Sequence, residues 1–362
     1  MAGRSDKSNN NAHYPKEFFY GSKNFQSSNI ELQYINSRPT KLSRKDKLLS
    51  YFEYIQRRIF GVGPENVNYR LLAAEFNSTD IVISFTDSLS LTLGFNSAGI
   101  SPKPFVCGGF HGLSDRYENL PQLLKRRAKR YIKCSTQNLD HIFFFGDKDR
   151  TRASDLFDIP LDKTSLFQFG VDTDFWGGIK ENKKTGTIFS AGSDYNRDYH
   201  TLLKTNFSGQ FSILSDNKFI NKFGKDKFNL INGSLHKSRI TDLELREIYN
   251  QSEIVVVPIK NVYQPSGYSV VLQAMASGCA VILTNFIGLW DRELFVNYEN
   301  CILVPPHNSE AISVAIKTLQ ENDELRRKIS INSKKTAKKY FSLNRMDKSF
   351  QKLVNLSIKN NV

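Results

Sequence analysis

The stretch Gln264-Pro265-Ser266-Gly267-Tyr268-Ser269-Val270-Val271-Leu272-Gln273-Ala274-Met275-Ala276-Ser277-Gly278-Cys279-Ala280-Val281-Ile282 has the makings of a phosphate site. It reads as a polar, glycine-containing loop that feeds a helix, a glycine stop, and then a buried strand. A loop entering a helix offers unbonded N–H groups and the positive end of the helix dipole, which together suit a phosphate. Val270, Val271, Ala274 and Met275 fall at helical spacing, so one face packs inward. Gly278 suits the position just past the helix end, and the apolar run after it has the continuity of a parallel strand. On local pattern alone the same stretch also describes an ordinary helix–strand unit.

Two further groups have the right residue types. Ala191-Gly192-Ser193-Asp194-Tyr195-Asn196-Arg197-Asp198-Tyr199 follows a predicted strand and precedes a predicted helix, where a pyrophosphate contact belongs. Gly192 lets the backbone approach a ligand, and Arg197 is the nearby cation; the plainer reading is a surface arginine opposite Asp194 or Asp198. In Cys107-Gly108-Gly109-Phe110-His111-Gly112-Leu113, His111 is expected at the carboxyl end of a strand, with Gly109 and Gly112 allowing close ligand approach. The plainer reading there is a histidine in a glycine-rich turn. His236, in a loop, carries little weight. Asp147-Lys148-Asp149 and Asp172-Thr173-Asp174 have the spacing of a metal-binding acid pair, but that spacing recurs by chance, and both read as structural.

These groups need rigid elements to hold them. Strands are predicted over 30–35, 80–85, 104–107, 141–145 and 166–169, then over 187–191, 210–214, 228–231, 253–257, 280–284 and 301–304. Helices are predicted over 48–60, 69–76 and 121–134, with Pro121 in the first turn, then over 242–250, 269–277, 309–320 and 324–340. Alternation of this kind argues for parallel sheets covered by helices on both faces. Two Rossmann-like, doubly wound domains follow, facing across a cleft, with boundaries at 1–170 and 171–341 and a helix over 342–362 crossing back. Phe169-Gly170-Val171-Asp172, with Gly177 and Gly178 beyond, marks the junction.

A chain of 362 residues is natural for two domains, and 40% hydrophobic content is ample for their cores. No apolar run approaches the length of a membrane span, and Met1-Ala2-Gly3-Arg4-Ser5-Asp6 lacks the apolar core of a secretory signal. Cys107, Cys134, Cys279 and Cys301 show no metal spacing and read as reduced core thiols of a cytoplasmic protein. The net charge of +14 calls for anionic partners. Residues 125–133 carry six cations and no acid, and 41–60 carry six cations against Asp46 and Glu53. In 41–60, Leu48, Leu49, Phe52, Ile55 and Ile59 share one helical stripe. That stripe suits an interfacial membrane helix or, equally, a helix packed on the protein core.

The segment Ala274-Met275-Ala276-Ser277-Gly278-Cys279-Ala280-Val281-Ile282 resembles the signature of the family-4 retaining glycosyltransferases, which have the GT-B fold. The resemblance extends over about 187–340 and is weaker before that. It implies transfer of a sugar from a nucleotide-sugar, a UDP-sugar first among the candidates, to a glycan, lipid-linked or envelope-polysaccharide acceptor. The enzyme would be a hexosyltransferase acting with retention and without a metal or other cofactor. The donor diphosphate would meet Gly192, Ser193, Arg197, Gln264, Ser266, Gly267, Tyr268 and Ser269, and Gln273 would hold the ribose hydroxyls. His111 and Arg197 would be the catalytic pair, with Gly3, Gly109 and His111 on the acceptor side. Gly3 would be the remnant of a glycine-rich acceptor loop, with either its preceding strand absent or an upstream segment missing from this chain.

The sequence departs from the family pattern in three places. Ser193 stands where an arginine is usual, Gln273 stands for the second signature glutamate, and Gln264 or Pro265 stands for the first. The family mechanism, front-face attack with the leaving phosphate taking the acceptor proton, needs no protein nucleophile there. The other readings are a non-catalytic relative serving as a scaffold, and a basic binder of anionic polymers or nucleic acid. No RNA-binding motif supports the last, so nucleic acid is not an expected partner. An anionic membrane surface meeting 41–60 and 125–133 is an expected partner, which would place the protein at the inner face of the membrane.

Overall fold

A computed structural model describes residues 14–25, 30–35, 42–60, 63–97, 104–177, 186–233 and 240–360. Gly3, Gly178 and His236 lie outside them. Among the described residues, two parallel sheets form the frame. The first has four strands in chain order: β1 (Ile81–Ser84), β2 (Phe105–Phe110), β3 (His141–Phe144) and β4 (Thr164–Leu166). The second has six: β5 (Thr187–Ala191), β6 (Phe211–Leu214), β7 (Asn229–Ile231), β8 (Ser252–Val257), β9 (Ala280–Thr284) and β10 (Ile302–Val304). Its spatial order is β10-β9-β8-β5-β6-β7, so the winding reverses between β5 and β8. Every pairing within both sheets is parallel.

The strands read as continuous apolar runs because both faces are covered, yet each face has its own core. Val255, Val257, Val281 and Leu283 join one buried cluster, while Ile254, Val256, Ala280 and Ile282 join another. In the first sheet Cys107 and Phe143 belong to the former cluster and Val106, Ile142 and Phe144 to a third. The shared cluster runs from the first sheet into the second through Phe145, Phe167, Phe169 and Val171. Helix Leu343–Asn360 returns to the first half, where the Ser349 hydroxyl accepts from the Gln168 N–H at 3.1 Å and Phe350 meets the Phe25 ring. No helix among the described residues is long and apolar enough to cross a membrane.

Several expectations need correction. Residues 30–35 form no strand; they run as coil with Ile30 and Leu32 packed on the shared core. Pro121 caps helix Gln122–Asn138 from outside rather than sitting in its first turn. Cys134 is exposed, unlike the other three cysteines. Helix Asp87–Asn96 was not legible at all: Ser-Leu-Ser-Leu-Thr-Leu alternates as a strand would, but the helix is buried on several sides.

Helix Arg44–Phe60 inverts the usual arrangement. Leu48, Tyr51 and Phe52 are 58%, 59% and 56% exposed, and Leu49 and Tyr54 are exposed as well. The helix touches the protein through its polar side chains. Glu53 accepts from the Val67 N–H, Asp46 pairs with Arg70, and Arg57 donates to the Pro64 carbonyl at 2.8 Å.

Candidate active site

The reversal between β5 and β8 opens a crevice at their carboxyl ends, the place where ligands enter open parallel sheets. The loop after β5 carries residues 192–198 and the loop after β8 carries 258–267. They are tied together: Asp198 N–H donates to Pro258 O at 3.0 Å, and Lys260 N–H donates to Asn196 O at 2.9 Å. Helix Tyr268–Ala276 starts here. Its cap is Gly267, at φ +86° and with no side-chain hydrogen bond to the first turn, so the N–H groups of Tyr268, Ser269 and Val270 face outward without intrahelical acceptors. At the other end Cys279 N–H reaches back to Ala274 O past Gly278, which sits at φ +69°, as the glycine stop required.

Arg197 lies between the two loops and is not a surface residue: its side chain is 3% exposed. A Cβ on Gly192 would fall 2.0 Å from Arg197 Nε, and one on Gly267 would fall 3.1 Å from its Nη1. The guanidinium therefore lies flat against one glycine and beside the other, at the positive end of the helix. Nε lies 3.1 Å from Asp194 Oδ2, out of line for a hydrogen bond, and among the described residues neither Nε nor Nη1 has a hydrogen-bond partner. Asp194 thus ion-pairs with the guanidinium, as the plainer reading had it, but the Nε and Nη1 donors stay unbonded, and buried donors without acceptors cost free energy until an acceptor arrives.

The remaining predicted donor residues divide by role. Asn196 Nδ2 donates to Ser266 Oγ at 2.9 Å and to Gln264 Oε1 at 3.1 Å, which fixes the loop ahead of the helix. Ser193 Oγ accepts from the Asp216 N–H at 2.9 Å and so shapes the neighbouring loop. The half-buried Tyr268 packs its ring on Trp290, with centroids 3.8 Å apart, and its hydroxyl donates to Phe145 O in the first half. Ser269 lines the cleft. Gln273 sits on the cleft floor, 3% exposed. Its Oε1 accepts from Tyr249 at 3.3 Å and its Nε2 donates to Glu17 Oε1 at 3.2 Å.

Across the cleft, His111 caps the end of β2. Its ring stacks on Phe145 at 4.0 Å, its Nε2 donates to Phe85 O at 2.9 Å, and its backbone N–H donates to Asp87 Oδ1 at 3.0 Å. Gly112 brings His111 to the donor loop, since a Cβ there would fall 2.4 Å from Gln264 Oε1. His111 and Arg197 thus line one cleft of about 2580 Å³, joined through Gly112, Gln264 and Asn196. Gly109 does not belong to it. It lies within β2, and a Cβ there would strike the Phe143 ring at 2.4 Å; packing, not ligand approach, requires this glycine.

Two acids that hold the site were missed as such. Asp115 accepts the N–H groups of Tyr263 (3.1 Å) and Gln264, pinning the donor loop to the first half, and its burial raises its pKa. Asp149 is fully buried and accepts from Leu113 N–H, Ser114 N–H and the Ser114 hydroxyl, fixing the turn after His111. Asp172 caps Phe175 N–H at 3.0 Å. Each predicted acid pair thus has an acid engaged in structure.

Burial pushes Glu17 and Asp149 up to about 7 from 4.5 and 3.8. The folded protein then binds more protons than the unfolded chain between those limits. Their contribution to stability is complete below the unfolded values and is lost as pH rises through about 7, at up to about 1.4 kcal/mol per pH unit for each group. Urea midpoints of the wild type are therefore expected to fall from about pH 5 to pH 7, and Asp149→Asn is expected to flatten part of that slope. A wild-type midpoint that rises over this range contradicts the assignment.

Residues 223–336, which include the loop and helix at 264–276 but not Arg197 or His111, match the model of the family described as Glycosyl transferases group 1. No curated protein sequence matches the chain. Among solved structures, Anabaena Alr3699/HepE in complex with UDP and glucose aligns at TM-score 0.63 and 12% identity, covering 80% of this chain and 81% of that one. A glycosyltransferase from Rickettsia africae aligns at TM-score 0.58 and 15% identity, with coverage of 91% and 85%. Sucrose-phosphate synthase from Thermosynechococcus elongatus aligns at TM-score 0.60 and 15% identity, with coverage of 89% and 81%. The fold is that of the GT-B glycosyltransferases.

Proposed function

We propose that the protein is a glycosyltransferase that moves a hexose from a nucleotide-sugar, a UDP-sugar first among the candidates, to a glycan or lipid-linked acceptor with retention of configuration. The observation that carries this reading is the buried Arg197 guanidinium, held between Gly192 and Gly267 at a helix N-terminus with two N positions unbonded. A diphosphate satisfies both the cation and the N–H groups of the first turn. The group 1 match over 223–336 and the likeness to a UDP-complexed structure support the same reading. His111, on the acceptor side, faces the transferred sugar, and closure of the cleft keeps water from competing with the acceptor. This chemistry uses no metal and no protein nucleophile, and it does not depend on the signature carboxylates absent at 264–265 and 273. Thermal unfolding with UDP, GDP and ADP and their sugars tests it, since a bound ligand raises the melting temperature by mass action. A hydrolysable UDP-sugar is expected to give the shift and release UDP; no shift with any nucleotide overturns the reading and leaves the scaffold alternative.

The exposed stripe of helix Arg44–Phe60 favours an anionic membrane surface as the place where the acceptor is met. Leu48, Tyr51 and Phe52 point away from the protein beside Arg44, Lys45 and Lys47, the arrangement of an interfacial helix. Co-sedimentation with phosphatidylglycerol vesicles at low salt is expected, and Leu48→Glu with Phe52→Glu is expected to abolish it. A wild-type protein that stays in the supernatant removes this part of the proposal.

A further inference from the structure

Glu17 is a buried acid with no part in the donor chemistry above. It sits on the short turn Lys16–Phe19, and its carboxylate is 0% exposed. Oε1 accepts from Trp176 Nε1 at 2.7 Å and from Gln273 Nε2 at 3.2 Å, and Oε2 accepts from the Asp172 N–H at 3.1 Å. Glu17 and Gln273 line the same cleft as Arg197.

With Glu17 ionised, above about pH 7, these bonds fix the Gln273 amide end for end. Its Nε2 faces a carboxylate and its Oε1 faces the Tyr249 hydroxyl donor. Flipping the amide would set Oε1 against the carboxylate oxygen. Once both bonds are made, the amide keeps one N–H and one lone pair. A donor and an acceptor on one rigid group match a pair of neighbouring hydroxyls, each of which can give and take a hydrogen bond. The segment that brings Glu17 also reaches the other side of the cleft. Tyr20 stacks on Phe85 at 4.4 Å, and the Phe85 carbonyl accepts from His111.

We infer that Glu17 is a positioning residue of the donor site, locking the Gln273 amide so that its spare N–H and lone pair address the vicinal ribose hydroxyls of the nucleotide. The inference rests on the donor reading above. A carboxylate 256 residues away in the chain thereby acts through the neutral residue at the signature position.

Titration calorimetry of the full chain with UDP and 2′-deoxy-UDP at about pH 8, where Glu17 is ionised, tests it. The wild type is expected to prefer UDP. Glu17→Gln is expected to weaken UDP about tenfold while leaving 2′-deoxy-UDP unchanged, because only the ribose contact is lost. The conservative Glu17→Asp keeps a carboxylate for the amide to face and is expected to weaken UDP less than Glu17→Gln does, with part of the preference over 2′-deoxy-UDP kept. Equal weakening of both ligands in Glu17→Gln makes Glu17 a structural prop and overturns the inference, as does no change in either. If Glu17→Gln does not fold, Glu17→Asp carries the comparison alone: weakening confined to UDP supports the inference, and equal weakening of both ligands or no change overturns it. Failure of the wild type to bind UDP, GDP or ADP overturns the donor reading itself and the inference with it. Wild-type binding with an unchanged Glu17→Gln overturns the inference alone.

Discussion

Replacing Arg197 by alanine is expected to lower kcat/KM for the nucleotide-sugar by about 100- to 1000-fold, the range seen when a donor aimed at developing charge is removed. The guanidinium is 3% exposed and has unbonded donors beside the first turn of helix Tyr268–Ala276. In the proposed reaction charge would accumulate on the diphosphate as the sugar departs, beside a guanidinium that is itself buried from water. The loss should therefore fall on turnover as well as on binding. Stability without ligand is expected to behave in the opposite sense. Arg197→Met keeps the apolar stem, removes a buried cation with unbonded N–H groups, and leaves Asp194 free to turn to solvent, since its side chain is already 42% exposed. That variant should melt no lower than wild type yet show no UDP-dependent shift. Steady-state kinetics and melting curves with and without UDP check both halves. A Met variant that melts several degrees lower and keeps its UDP shift would make Arg197 a structural cation.

The adjacency behind this prediction was legible because it depends on topology. A loop after β5 and a loop after β8 must meet where the sheet order reverses, and both loops announce themselves by a glycine and a polar run. The strands of the second sheet were legible for a related reason: buried parallel strands leave long apolar runs with turn residues on either side. Other parts of the site depend on pairs far apart in sequence, which no local pattern encodes. Asp115 and Gln264 meet across the cleft, as do Glu17 and Gln273. The first half misled where period-two alternation did not mean a ladder. Residues 30–35 alternate and form no strand, while in helix Asp87–Asn96 the alternating Ser90 and Thr92 are fully buried with their hydroxyls bonded to Gly109 O and Ser88 O. Gly109 was misread because a glycine that admits a ligand and one that admits a phenylalanine ring look alike in sequence.

Gly192→Ala should disable the site almost as thoroughly as removing Arg197, through the backbone. Gly192 sits at φ +134°, where an L side chain is strained, and its added Cβ would lie 2.0 Å from Nε and 2.6 Å from Cζ of Arg197. The guanidinium cannot stay where it is, and Gly267 limits its retreat on the other side, with an added-Cβ position 3.1 Å from Nη1. The backbone strain alone costs about 1–3 kcal/mol, and the displaced cation is expected to cost about 100-fold in kcat/KM. Gly278→Ala separates the two effects. Its φ of +69° strains a side chain as well, but the nearest atom to an added Cβ is Ser330 Oγ at 3.5 Å, and it closes the far end of the same helix. Both variants should melt lower than wild type, and only Gly192→Ala should lose the UDP-dependent shift. If both kept that shift, the contact between Gly192 and the guanidinium would have no bearing on the nucleotide, because a cation displaced by more than a bond length could not hold the same phosphate.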